Sequence, residues 1–383
     1  MSTHRISDAQ SIGLDAQKVT AFLARVRQEV EEGLLPAAQV AIARDGKVGV
    51  YESYGDAQAE SLTPIFSATK AITSAAAWLL FQAGNLNEDE RVVDIIPEFN
   101  THGKDVVTVG QLFTHTAGFP HAPFKPVQWN NKEERYGRFA QWRLTWPPGS
   151  KFEYHPSSSM WVIAEIIERR SGLGFTEFVR SKVLDPLQLN NLFVGLPAEH
   201  HHRALDCVHS GDALTPEDYQ KMGMPVPPDS EVTEDAILNF NTAAVREVGV
   251  PGGGGYATAA DLALFYQALL HGGLDEVELW TPATMASVRT VRTGDLTDMM
   301  FNKLANRGLG IIISGDDSRS YRGFGKTNSP EAFGHNGAGG QLAWVDPASG
   351  LSLAYVTPGH DRNSIRQARR GVAISSLAAQ LCA

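Results

Sequence analysis

Apolar and polar positions change period several times along this chain, and each change marks an element. From about Asp15 to Glu32, Val19, Phe22, Leu23, Val26 and Val30 recur at helical spacing among charged residues, which predicts an amphipathic surface helix. Two short apolar runs follow, 38–44 and 47–51, joined by Asp45-Gly46, and that dipeptide between such runs predicts a β-hairpin. The stretch from Ala71 to Phe81 carries no charge, is rich in helix formers and stops at Gly84. It reads as a buried central helix, opened by Ser67-Ala68-Thr69-Lys70.

After the central helix come a short helix ending near His115, an irregular segment from Phe119 to Trp146 crowded with rings, and a helix over 160–168. The pattern weakens between 194 and 250, where proline-rich stretches such as 225–229 read as surface linker. A run of glycines, Gly252 to Gly255, implies flexible or closely approached backbone. It follows no strand and no lysine follows it, so it does not read as a phosphate cradle. Beyond a helix over 259–270, strand character returns at 309–314, 334–346 and 351–357, and a last helix runs from about Ser364 to Leu381.

Both chain ends thus supply strands and a flanking helix, while the middle is mostly helical. The economical fold is α+β: an antiparallel sheet built from both chain ends and flanked by helices, with an inserted, mostly helical domain. The expected division is residues 1–66 with 251–383 as the sheet domain and 67–250 as the helical one, with the active site between them.

Composition narrows the partners. With 43% hydrophobic and 20% charged residues, 383 residues can bury a large core. A net charge of −10 and the lack of any basic run argue against nucleic acid or an acidic membrane surface as partner. The N-terminus shows no apolar leader and no segment is long enough to span a bilayer, so a cytoplasmic location is expected. Cys207 and Cys382 are too few for a disulfide framework, and His200-His201-His202 lacks the spacing of a metal site. No metal and no cofactor are expected, and oligomeric state stays open.

The chemistry concentrates at Ser67 and Lys70. Residues three apart on a helix share a face, so the hydroxyl and the amine point the same way. A serine is a weak nucleophile until a base takes its proton, and a lysine becomes that base only where burial or positive charge disfavours the ammonium. Ala71, Ala75 and Trp78 provide a dry setting. The bland alternative is a pair of solvated residues on a helix surface. Against it, Lys70 is the only lysine in the chain with a serine three places before it. His115 reads as a loop histidine tying down backbone, and Tyr154, just before a helix, would ordinarily be a packing residue. The aromatic segment fits a lid over a pocket as well as a packed cover.

Ser67-x-x-Lys70, then Tyr154, then His335-Asn336-Gly337 at the start of a C-terminal strand occur in the order of three known motifs. In them the chain resembles the serine β-lactamase and penicillin-binding-protein superfamily, within it the class C-like branch with the family VIII carboxylesterases. The resemblance implies Ser67 as acylated nucleophile, Lys70 as its proton partner and Tyr154 as the base that relays protons and activates the deacylating water. It implies an oxyanion hole from the backbone N–H groups of Ser67 and Ala338, with His335, Asn336 and Gly337 lining the site. Two departures stand out: Tyr154-His155-Pro156 replaces Tyr-x-Asn, and His335 replaces a lysine that would favour a substrate carboxylate. Both weaken the antibiotic-hydrolysing reading and leave acyl transfer intact. The expectation is a serine carboxylesterase acting on small to medium hydrophobic esters, with β-lactamase, D-amino-acid peptidase or acyltransferase action as rivals. Phe119, Trp129, Trp146 and Trp344 are the candidate contacts for apolar parts of a small-molecule ester.

Overall fold

The computed structural model describes residues 5–223, 226 and 233–382, so the proline-rich stretch 225–229 lies, apart from Val226, outside the described residues. The runs either side of Asp45-Gly46 pair as the hairpin β1 (Ala37–Arg44) and β2 (Lys47–Gly55). Both turn residues have positive φ, 52° and 72°, the backbone that a tight two-residue connection demands and that Asp-Gly tolerates. The remaining strands of the main sheet come from the C-terminal part: β3 (Ile312–Ile313), β4 (Phe333–Gly334), β5 (Leu342–Asp346) and β6 (Leu351–Val356). The order is β3-β4-β5-β6-β1-β2, antiparallel throughout. Chain ends therefore meet inside the sheet, where Ala41 pairs with Ala354.

Side-chain alternation divides that sheet into two faces. Val40, Ile42, Trp344, Leu353 and Tyr355 pack with Phe22 and Val26 of helix α1 (Ala16–Glu31) and with Ile374 and Ala378 of the last helix, Ser364–Ala378. Asp15 caps α1 by accepting from the N–H groups of Gln17 and Lys18. The opposite face presents Ala41, Ala43, Ala343 and Ala354, small residues over which helix Ala259–His271 lies close.

Beyond that helix sits the central helix α2 (Thr69–Gln82), buried on nearly every side, as a helix whose one charged residue is Lys70 requires. It is anchored near its middle by two indole hydrogen bonds, Trp78 Nε1 to the Leu309 carbonyl and Trp280 Nε1 to the Ala75 carbonyl. Gly84 closes it with φ of 71°. Helix α3 (Lys132–Gln141) and helix α4 (Ser158–Ser171) follow in the chain, and α4 packs on α2.

The irregular reading of 119–146 needs correction over α3. Its charged, polar composition with Gly137 in the middle hides the helical period. Asn131 nonetheless caps it, accepting from the N–H groups of Glu133 and Glu134. Among the described residues no helix is long and apolar enough to cross a membrane, and no group of metal-ligating side chains is found.

Candidate active site

The chain enters the central helix through a 3₁₀ turn, Phe66–Ala68, so Ser67 stands two residues before α2 proper. From Ser61 to Trp78 every residue is buried except Ser67. Phe66, immediately before it, has φ of 45°, a conformation that a bulky residue rarely adopts. Its ring is held edge-on by Phe240 at 5.4 Å and packs with Cys207 and Ile237. Strain of this kind costs about 1–3 kcal/mol and persists only where the surroundings enforce it.

Lys70 is 1% exposed. Its Nζ donates to the carbonyls of Pro156 (2.7 Å) and Gly252 (2.8 Å) and to Ser67 Oγ (3.1 Å). Burial is the largest influence on this amine and lowers its pKa; Tyr154 opposes that effect and Arg307 adds to it. The two carbonyls hold two of the amine's hydrogens, which leaves its third position directed at the serine.

Tyr154 donates from its phenol to Ser67 Oγ at 2.9 Å, and Lys70 Nζ sits 5.0 Å from the phenol ring's centre. A serine, an amine and a phenol spread over 87 residues thus meet around one oxygen. The loop carrying Tyr154 has no regular structure, and two buried histidines fix it. His155 N–H donates to His115 Nδ1 (3.1 Å), His155 Nδ1 bonds the Glu153 carbonyl (2.7 Å) and His155 Nε2 accepts from Phe119 N–H (3.3 Å). Burial pulls His155 down to about 4 and His115 well below the usual imidazole range, so both are neutral. His115 therefore serves as backbone support at 4.7 Å from the Tyr154 ring.

The third motif closes the site from the sheet. Gly337 lies so near the segment before Ser67 that a Cβ there would stand 2.5 Å from the Ile65 carbonyl oxygen. The N–H groups of Gly337 and Gly339 are spent on Gln341, while Gln367 Nε2 donates to the Ala338 carbonyl, which fixes the peptide plane on either side of Ala338. His335 is buried, its ring 6.2 Å from that of Tyr154. Its Nδ1 bonds the Asn336 carbonyl, and burial above all, then Lys70 and Arg307, hold the imidazole well below its ordinary pKa. Asn336 Nδ2 donates to the Arg322 carbonyl.

Three of the four aromatic contacts expected for substrate need correction. Phe119 is packed among Phe99, Trp142 and His155, and Trp129 among Phe124, Trp161 and the Arg135 guanidinium, which lies 3.6 Å from its ring. Trp344 is fully buried on the far face of the sheet, where Nε1 donates to Ser375 of the last helix. Each ring is taken up by the core. Trp146 alone keeps part of its surface open, with Nε1 donating to Glu153.

Sequence reading missed two contributors. Gly252 supplies a carbonyl to Lys70, and a Cβ on it would come within 3.3 Å of Nζ, which gives the glycine run its purpose. Arg307, 8% exposed, lies with its guanidinium carbon 5.3 Å from the Phe152 ring and 5.6 Å from that of Tyr154. A lone arginine immediately before the glycine and apolar run Gly308 to Ile313 was the available signal.

Similarity to known proteins extends over most of the chain. The family profile described as Beta-lactamase matches residues 22–377. Among curated proteins, the chain is similar to Esterase/beta-lactamase LipL of Mycobacterium tuberculosis, 24% identical over 83% of this chain and 76% of that protein. Among solved structures, it resembles a penicillin-binding protein homolog from Caulobacter crescentus, at 28% identity and a TM-score of 0.74, covering 94% of this chain and 97% of the other. A family VIII carboxylesterase superposes with a TM-score of 0.76 at 23% identity, over 95% and 98% of the two chains.

Proposed function

The chain belongs to the β-lactamase family, and on that premise we propose that it is a serine carboxylesterase that hydrolyses small to medium esters through an acyl-enzyme. The observation that carries the proposal is the pair of proton-handling groups on one hydroxyl, Lys70 Nζ at 3.1 Å and Tyr154 Oη at 2.9 Å from Ser67 Oγ. In this reading Ser67 Oγ attacks the ester carbonyl as its proton passes to the Lys70–Tyr154 pair. The N–H groups of Ser67 and Ala338 receive the developing oxyanion, and the proton is returned to the departing alcohol. Water then attacks the acyl carbonyl as its proton passes through Tyr154 to Ser67 Oγ, so that the acid is released and the serine hydroxyl restored. We place the site at the junction of two lobes, residues 67–250 and the remainder.

A neutral His335, where the superfamily resemblance would place a lysine, supports an uncharged ester over an anionic lactam. Pro156 supports it too, since the carbonyl there is committed to Lys70 and no side-chain amide follows Tyr154 at that position. Burial of three of the four aromatic rings removes them as ground for a hydrophobic ester, and leaves Trp146 as the one open aromatic surface of the four. The name of LipL couples esterase with β-lactamase, so both activities belong in the test.

Ser67→Ala should abolish hydrolysis of a short-chain chromogenic ester with an unchanged melting temperature. The native protein should turn over that ester far faster than a chromogenic cephalosporin. Turnover by Ser67→Ala equal to wild type would remove Ser67 as nucleophile, and faster cephalosporin hydrolysis would replace the esterase reading with the lactamase one. A new ester formed on adding an acceptor alcohol would reveal acyl transfer.

A further inference from the structure

Arg307 is an arginine that the core has no ordinary reason to hold. The guanidinium stays charged at any physiological pH, it is 8% exposed, and its Nε and Nη1 are buried without a hydrogen-bond partner. No carboxylate lies within salt-bridge distance of it among the described residues. A buried charge with no counter-ion is costly, so a site that keeps one has a use for the field it makes. That field falls on the Ser67 cluster, because the guanidinium carbon stands 5.6 Å from the Tyr154 ring.

The geometry points to Arg307 as a positioning residue for the hydrolysis proposed above, on which this inference rests: its fixed positive charge keeps the Lys70–Ser67–Tyr154 cluster one proton short and ready to accept the serine proton. It acts through the cluster, lying against the rings of Phe152 and Tyr154. The other titratable groups facing the cluster do not share the task. His335 and His115 are buried and neutral, and His155 faces His115 and is neutral as well. Glu153, next in the chain to Tyr154, is engaged by Lys151, His121 and Trp146. Asp298 and Arg322 act on Arg307 from a distance with opposite signs. Arg307 is left as the standing positive charge. Burial is the larger influence on Lys70, and the charge of Arg307 adds to it by disfavouring a further positive charge on that amine. This lowers the pH at which the cluster loses its proton.

The test is the pH dependence of kcat/KM for a short-chain chromogenic ester in wild type, Arg307→Met, Arg307→Gln and Arg307→Lys, with phosphonate trapping of Ser67 followed over the same pH range. In the two neutral variants the acid limb should move up by about one pH unit or more, a loss of roughly tenfold at a fixed pH on that limb. Rates should approach wild type again at high pH, and Arg307→Lys should keep the wild-type limb. A uniform loss with an unmoved limb would make Arg307 merely structural and overturn the inference. So would a limb in Arg307→Lys displaced as far as in whichever neutral variant folds. Trapping separates this from the esterase reading. If wild type turned over no ester yet trapping shifted with Arg307, the substrate assignment alone would fall; if ester turnover were present and neither limb moved, the role of Arg307 alone would fall.

Discussion

Replacing His155 with glutamine should flatten the loss of stability that this protein suffers in mild acid. His155 is fully buried and neutral, pulled from 6.5 to about 4 by burial above all, against the opposing pull of the Glu153 carbonyl and carboxylate. Between those two values the unfolded chain binds a proton that the folded chain refuses. Stability from this residue is therefore complete above pH 6.5 and drains away as pH falls towards 4. The slope inside that window is about 1.4 kcal/mol per pH unit for one proton, and the whole shift corresponds to roughly 3 kcal/mol. His115, His335 and His360 are shifted in the same direction, also by burial first, so wild type should lose stability more steeply than one proton allows. In His155→Gln the side-chain oxygen can still accept from Phe119 N–H, but the bond to the Glu153 carbonyl is lost. That costs about 1–3 kcal/mol at pH 7. Urea unfolding at half-unit steps from pH 7 to pH 4 reads both effects. The variant should start lower and fall less, by about one proton's slope. Parallel curves for the two proteins would mean that His155 is not held neutral by its burial and would refute the reasoning.

Two further substitutions separate position from packing. Gly337→Ala would place a Cβ 2.5 Å from the Ile65 carbonyl oxygen and 2.4 Å from Gln341 Oε1, so the loop carrying Ala338 must move away from Ser67. Displacement on the scale of 1 Å should lower kcat by about a hundredfold while Tm falls only modestly, and an unchanged kcat would take Ala338 out of the oxyanion hole. Trp344→Phe should lose about 1–3 kcal/mol through the missing bond to Ser375 and the volume left behind, with KM for the ester unchanged; an altered KM would restore Trp344 as a substrate contact.

What the sequence reveals follows from the range over which each feature is decided. The Asp45-Gly46 turn, the α1 stripe and the shared face of Ser67 and Lys70 are local matters of φ and helical period, and all three are legible in the chain. Tyr154 can be picked out only through resemblance, because nothing near it distinguishes a phenol that meets Ser67 from one that packs. Whether a ring lines a cleft or fills a core is settled by what arrives from elsewhere: Trp344 met Ser375, Trp129 met Arg135, and both were lost to the interior. Helix α3 was hidden by its charge, since a segment held by Arg135 on the buried Glu165 and on Glu168 shows little apolar period. Arg307 and the Gly252 carbonyl lie more than 150 residues from the side chains they influence, beyond the reach of any local pattern.

The glycine run and the Tyr154 loop together explain why a buried lysine can work here as a base. A charged ammonium has three hydrogens and finds three acceptors, the carbonyls of Pro156 and Gly252 and the oxygen of Ser67. A carboxylate, or a third carbonyl in place of the serine oxygen, would hold the charged form and lock it in place. With only two carbonyls, the neutral amine keeps both of its hydrogens bonded and turns its lone pair to the serine, so loss of the third proton leaves no donor stranded. Burial of Lys70 makes that loss easier, and the same contacts prevent the side chain from swinging out to be solvated. Gly252 and Pro156 thereby do more than pack: the number of carbonyls they present sets which protonation states Lys70 can occupy without an unsatisfied hydrogen. A side chain on Gly252, 3.3 Å from Nζ and 3.2 Å from the Pro156 oxygen, would disturb that count before it disturbed the fold.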